Sequence, residues 1–238
     1  MCVMLRDAPF LENHIYHIYN RGAHKADIFL DHLDYARFQL LLFIANTSDR
    51  VHVANLIKKH KNRDKGLTFI SIFKNEVTES PLVDILSYTL MPNHFHIVLR
   101  QRIEGGVTEY MRKISTAYTM HFNTRHLHSG ALFQGRFKSK HVGGGDYLRW
   151  LFAYVALNPL DVRFPGWKEN GVANQAEALS FLKTYQFSSF PDMVAKQNPR
   201  PESAILSSFA IAEMGEDVPD FANIEELFRI EATSLELI

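Results

Sequence analysis

His94, Phe95 and His96 are the residues whose types and spacing most directly suggest chemistry. They close a run from Asp84 to Arg100 that reads as two strands around a Met91-Pro92-Asn93 turn. Side chains two apart on a strand share a face, so the two imidazoles project side by side while Phe95, Ile97 and Leu99 point into an apolar layer. Two neighbouring imidazoles are half of a metal site; alone, they also fit a pair of surface histidines on a half-exposed sheet. Some sixty residues on, Tyr154 and Asn158 stand four apart at helical spacing, which sets a phenol and an amide oxygen on one helical face. If that helix packs beside the histidine strand, two imidazoles and an amide oxygen leave positions open on a divalent ion for a phosphate oxygen and water. Mg²⁺ or Mn²⁺ suits such incomplete coordination, and zinc prefers a more closed set. A tyrosine oxygen aimed at that phosphate can displace a deoxyribose oxygen in line and hold the cut end as a phosphotyrosine.

Each of these residues also has a plainer reading. Tyr118 follows the histidines on a helix in a basic segment and is a rival nucleophile, or else a core aromatic on the Tyr110-Ile114-Tyr118-Phe122 stripe. Tyr154 is alternatively an apolar-face residue beside Leu151 and Val155, and Asn158 a helix-ending residue before Pro159. Tyr154 alone has a ligand-type partner at i+4. Arg136, Lys138 and Lys140 alternate, so they share one strand face and are candidates for DNA-backbone contact, or solvated strand charge. Arg21, after the first strand, is a further candidate for DNA contact, and Asn93 for orienting a histidine from behind.

The elements that must position these groups follow from periodicity. His14 to Asn20 suits a first strand ending at Arg21-Gly22, and Asp31 or Asp34 opens an amphipathic helix through Tyr35, Phe38, Leu41 and Leu42, ending near Asn46. Lys58 to Gly66 is a charged connection, followed by the more apolar 67–73. The histidine-bearing strand pair comes next, then a helix over Val107 to Arg125, a fourth strand over Gly130 to Val142, and a third helix capped by Asp146 that ends at Asn158-Pro159. Strand, helix, strand, strand, helix, strand is the order of an α+β ferredoxin-like, RRM-like sandwich, an antiparallel sheet with helices on one face. Residues 165–238 form a mostly helical C-terminal extension. The expected organisation is a catalytic domain over 1–164, with an insertion at about 50–80, and the extension over 165–238.

Composition bounds the rest. At 238 residues, 46% hydrophobic and 22% charged, the chain has the balance of a soluble globular protein with a real core. Its polar N-terminus does not read as a signal peptide, no apolar stretch approaches the length of a membrane span, and Cys2 is the only cysteine, so a cytoplasmic, disulfide-free protein with no membrane partner is expected. The formal net charge is zero, yet Arg100 to His141 holds eight Lys/Arg against two acids, and Arg200 to Ile238 nine acids against two arginines. A basic segment interleaved with Tyr118, Phe122, Phe133 and Phe137 has the composition of a single-stranded nucleic-acid binder, or of a solvated surface. The acidic tail reads as solvated surface or a loosely held arm.

Three ordered motifs, Tyr88-Thr-Leu-Met-Pro-Asn-His-Phe-His96, Gly130-Ala-Leu-Phe-Gln-Gly-Arg-Phe-Lys138 and Tyr154-Val-Ala-Leu-Asn-Pro159, together resemble the signatures of the REP-associated tyrosine transposases, relatives of the single-tyrosine HUH transposases. The resemblance spans roughly Tyr16 to Val162, with a weaker echo in Tyr185-Gln-Phe-Ser-Ser-Phe190, and the charged Lys58 to Lys65 run departs from it. It implies that His94 and His96 are the metal pair, Asn158 the third ligand and Tyr154 the nucleophile. It also implies a 5′-phosphotyrosyl product with a free 3′-hydroxyl, made on single-stranded DNA near palindromic hairpins. The function expected is thus a Mg²⁺- or Mn²⁺-dependent single-stranded DNA endonuclease and strand transferase, as a monomer or a homodimer. A non-catalytic hairpin-binding regulator on the same fold is the alternative. A zinc hydrolase built on the two histidines would need a further His, Asp or Glu beside that strand.

Overall fold

Alternating apolar side chains build a single antiparallel sheet in this computed structural model, which describes residues 9–49, 52–61, 68–76, 79–195 and 198–232. Cys2, residues 62–67 of the charged connection and the last residues of the acidic tail, 233–238, lie outside the described residues. Strands β1 (Ile15–Arg21), β2 (Val83–Met91), β3 (His94–Gln101) and β4 (Lys138–Val142) stand in the order β2-β3-β1-β4. Helices α1 (His32–Ile44), α2 (Val53–Lys61) and α3 (Thr68–Asn75) lie between β1 and β2, and α4 (Gly106–His126) between β3 and β4. With α1 and α4 as the two crossovers, this is the ferredoxin-like α+β arrangement expected. After β4 come α5 (Gly145–Leu157), α6 (Leu160–Arg163), α7 (Trp167–Asn170), α8 (Gln175–Thr184), α9 (Phe190–Val194), α10 (Ser208–Glu213) and α11 (Ile224–Ala232). Among the described residues no helix is long and apolar enough to cross a membrane.

The pleat divides the sheet into two faces. Tyr16, Ile18, Tyr88, Leu90, Phe95, Ile97 and Leu99 join α1 and α4 in one buried cluster. Leu86, Val98 and Val142 join a second cluster with α5 and the extension, in which Trp167, Leu182, Phe190, Phe221 and Leu227 are buried. The crossover helices share one face as expected. The opposite face is covered by α5 and the C-terminal helices, because Val98, Leu86 and the apolar side of α5 are too extensive to leave in water. The extension is therefore built onto the sheet. Its Tyr185–Phe190 stretch runs along the outer edge of β2, where the Leu90 amide donates to the Phe187 carbonyl at 2.9 Å and the Ser189 amide to the Tyr88 carbonyl at 2.9 Å.

Several local expectations need correction. Asp31, not Asp34, caps α1, accepting from the Leu33 and Asp34 amides; Asp34 is buried and paired with Arg125 and His126. Lys58 to Lys61 are the end of α2, with the lysines exposed and His60 buried against Ser71 and Glu76 of the α3 region, so this part of the charged run is a helix end and not a loop. The fourth strand begins at Lys138, not Gly130. Before it the chain wraps the end of β1, with the Ala23 amide donating to Leu132 and the Gln134 amide to Arg21, both at 2.9 Å, so Arg136 is not on the strand. Gly144 occupies the N-cap of α5, leaving Asp146 in the first turn, where its charge faces the helix dipole without capping. The described part of the acidic tail is not a loose arm: Glu213 pairs with Arg100 at 2.9 Å, and Glu226 with Arg149.

Candidate active site

β3 presents His94 and His96 on the face that α5 covers, and the strand register sets β1 alongside, with Tyr19 opposite His96. The two imidazole centroids lie 5.0 Å apart, edge to face. His94 Nδ1 is 2.7 Å from Asn93 Oδ1, a carbonyl oxygen that accepts, so Nδ1 carries the proton and Nε2 keeps its lone pair. His96 Nδ1 is 2.8 Å from Nε2 of His17, a buried β1 residue. With the shared proton on His96 Nδ1, both histidines of the pair offer Nε2. Asn93 thus stands behind His94, and His17, which sequence reasoning missed, stands behind His96. His17 was findable: the 15, 17, 19 alternation puts it on the Tyr19 face of β1.

Helix α5 brings Tyr154 over this pair. Its ring is 5.3 Å from His96 and 6.1 Å from His17, centroid to centroid, both edge to face. Tyr147, Trp150 and Tyr154, at i, i+3 and i+7, stack in a ladder with centroid spacings of 5.3 and 5.2 Å. Lys140 Nζ caps Tyr147 at 4.7 Å and Lys168 Nζ caps Tyr154 at 4.8 Å. Asn158, one turn beyond Tyr154, is 2% exposed and ends α5.

Burial governs the electrostatics. It pushes His96 well below the usual histidine range, with His17 and His94 adding to the effect, and it takes His17 down to about 4, helped by Lys140. His94 is also lowered by burial, and Tyr154 raised, and Asn158 offsets both shifts in part. At neutral pH the imidazoles are uncharged, the form that binds metals, and the phenol is protonated.

The residues fit a divalent ion. Asn158 Oδ1 is buried, yet no donor makes a hydrogen bond to it, and such an orphan carries a desolvation cost that a cation would relieve. Two imidazole nitrogens and an amide oxygen form a mixed, incomplete donor set of the kind that suits Mg²⁺ or Mn²⁺. Among the described residues no cluster of three or more His, Cys, Asp or Glu side chains is arranged to hold a metal, so the closed set a zinc hydrolase needs is not seen there.

A cleft of about 660 Å³ opens beside the pair, lined by Tyr19, Arg21, Lys25, Gln134, Arg136 and Lys138 along with Asn93, His94 and His96. Arg21 donates to Gln134 from its Nε. Of the four candidate DNA contacts, Arg21, Arg136 and Lys138 are brought to this cleft, whereas Lys140 stands over Tyr147. The other five basic residues of the Arg100 to His141 segment pair with acids: Arg100 and Arg102 with Asp84, Arg112 and Lys113 with Glu109, and Arg125 with Asp31 and Asp34. Tyr118 lies in the cluster on the opposite face, fully buried, its hydroxyl donating to the Ile28 carbonyl. That placement removes it from the histidines.

Comparison with curated proteins finds no match. Among solved structures, one described as the REP-associated tyrosine transposase bound to a REP hairpin is 14% identical, with a TM-score of 0.46, over 82% of this chain and 87% of that one. Residues 46–158, which include His94, His96, Tyr154 and Asn158, match the model of the IS200-like transposases.

Proposed function

We propose that this protein is a metal-dependent single-stranded DNA endonuclease and strand transferase of the REP-associated tyrosine transposase kind, acting on hairpin or palindromic repeat DNA through a 5′-phosphotyrosine. The observation that carries the proposal is the convergence of Tyr154, Asn158 and the His94/His96 pair on one face of the sheet, with the Asn158 oxygen buried and unpaired. His94, His96 and Asn158 would hold Mg²⁺ or Mn²⁺. Such an ion, when bound, draws charge from a phosphate oxygen. Asn93 and His17 fix the imidazole tautomers, and the Trp150 stack fixes the plane of the Tyr154 ring. Arg21, Arg136 and Lys138 line the path of the DNA backbone, and Tyr19 offers an aromatic face in the same cleft.

In the reaction the Tyr154 oxygen forms a bond to phosphorus as the bond from phosphorus to the 3′ oxygen breaks. The phenol proton passes to solvent, and the leaving oxygen takes one up to become a free 3′-hydroxyl. Rejoining reverses these steps with another 3′-hydroxyl. Incubation with Mn²⁺ and single-stranded hairpin DNA is expected to give a covalent protein–DNA band on a denaturing gel. Tight hairpin binding with no such band would instead establish the non-catalytic regulator.

A further inference from the structure

The matched transposase segment ends at Asn158, but the groups around Tyr154 do not. Eight residues later, Gly166 adopts φ of +77°, a left-handed turn that starts α7, and the buried Trp167 anchors that helix against Phe228 of α11 at 5.6 Å between centroids. This anchoring leaves Lys168 exposed over the Tyr154 ring, with its ammonium 4.8 Å from the ring centroid and 5.6 Å from that of Trp167. Its charge is felt at both histidines, and Asp161 and Glu231 also act on the Tyr154 surroundings. Among the described residues neither acid approaches Lys168 closely enough to form an ion pair. Lys168 is held by two ring faces and by the more distant charge of Glu231 on α11, with no ion pair to break, so its ammonium can turn to a phosphate.

We propose that Lys168 is a catalytic residue of the Tyr154 site, binding a non-bridging oxygen of the scissile phosphate as Tyr154 attacks, so that the C-terminal extension completes the active site. The proposal rests on the reading of Tyr154 as the nucleophile. The scissile phosphate must come within bonding distance of the Tyr154 oxygen, and Lys168 has the reach to meet it with its ammonium group. The negative charge there shifts toward the leaving oxygen as the P–O bond breaks, and a fixed cation beside the phosphate counters it. Bond changes are those already given; Lys168 contributes charge and hydrogen bonds and keeps its proton.

The test is single-turnover adduct formation with Mn²⁺ for wild type, Lys168→Ala and Lys168→Arg, each on hairpin DNA with a normal phosphate or an uncharged methylphosphonate at the cut site. Lys168→Ala is expected to slow adduct formation by roughly 10- to 100-fold, less than the loss of a fully buried donor because Lys168 is exposed. Lys168→Arg should recover most of that rate, hairpin affinity should be unchanged, and the gap between wild type and Lys168→Ala should close on the methylphosphonate. A Lys168→Ala protein as fast as wild type, or one equally impaired on both substrates, would overturn the role of Lys168 and leave Tyr154 standing. A wild-type protein that forms no adduct at Tyr154 would overturn both.

Discussion

The phenol of Tyr154 and the amide of Asn158 differ from their neighbours on α5 in one respect: each has a polar atom brought against the histidines instead of into apolar packing. Replacing Tyr154 with Phe deletes one oxygen and keeps the ring's contacts with Trp150 and Lys168, so adduct formation should vanish while hairpin affinity stays within about twofold. Tyr118→Phe should do the reverse, keeping the adduct and costing about 1 kcal/mol of stability, because its hydroxyl bonds a buried carbonyl on the far face. An adduct that survives Tyr154→Phe and disappears in Tyr118→Phe would exchange the two roles. The orphaned Asn158 oxygen makes a separate prediction. A ligand that binds only the folded state raises its stability, so Mn²⁺ should raise the wild-type melting temperature, and EDTA should reverse the rise. His94→Ala, His96→Ala and Asn158→Leu should each lose that increment; an equal rise in all four proteins would place the ion elsewhere.

Between elements, the ties that hold α1, α4 and the sheet edge can be tested without touching the chemistry. Asp31 caps α1 and also pairs with Arg125 of α4, which holds its carboxyl down to about 2 from a usual 3.8. A carboxyl whose folded pKa is depressed contributes stability above its unfolded pKa and loses it as pH falls through the folded one. Asp31 should therefore contribute at neutral pH and cease to do so between about pH 4 and pH 2. Asp31→Asn keeps a capping oxygen and removes the charge, so the acid end of its stability profile, followed by urea titration, should be flatter than that of wild type. At the sheet edge, neutralising Arg136, Lys138 and Lys140 together should weaken all hairpins alike and flatten the dependence of affinity on salt by about 0.7 to 0.9 of slope per lost phosphate contact. Since Lys140 stands over Tyr147 and outside the cleft, Lys140→Gln alone should change the slope least.

These elements also show how much of the molecule could be read from residue order. The strands were legible from the alternation of residue types at 15–20 and 94–100, although both faces of the sheet are covered, and α4 from the one buried stripe through Tyr110, Ile114 and Tyr118. Within the site, the spacing paired His94 with His96 and Tyr154 with Asn158, and the packing of α5 on the β3 face, a condition the spacing leaves open, brings the two pairs together. The start of β4 was not legible, because Leu132 to Phe137 has the composition of a strand while its amides and carbonyls bond around the Arg21 turn. Nor was the α2 end, where the Lys58–Lys61 charges mask a buried His60. His17 and Lys168 escaped for a different reason: His17 meets His96 79 residues away across β1 and β3, and Lys168 reaches Tyr154 of α5 from a short helix anchored by α11.

At the scale of the whole molecule, the second face of the sheet decides what the extension is for. Val98 and Leu86 cannot be left to water, and the side chains that cover them come from α5 and from residues beyond 164. An appended domain could be cut away without harm to the first. Here the two share one buried layer, in which Leu227 of α11 has no exposure and packs against the helix that bears Tyr154. Leu227→Ala opens a cavity there and should cost about 2 to 5 kcal/mol, read as a fall in the urea midpoint with an unchanged slope. Because α11 also anchors Trp167, the same substitution should slow adduct formation more than it weakens hairpin binding, whose cleft is formed by β1, β3 and the approach to β4. Truncation after residue 164 should abolish cooperative folding. A 1–164 fragment that melts cooperatively and forms the adduct at the full-length rate would show that the extension is dispensable, and the covering of the second face would then need another explanation than stability.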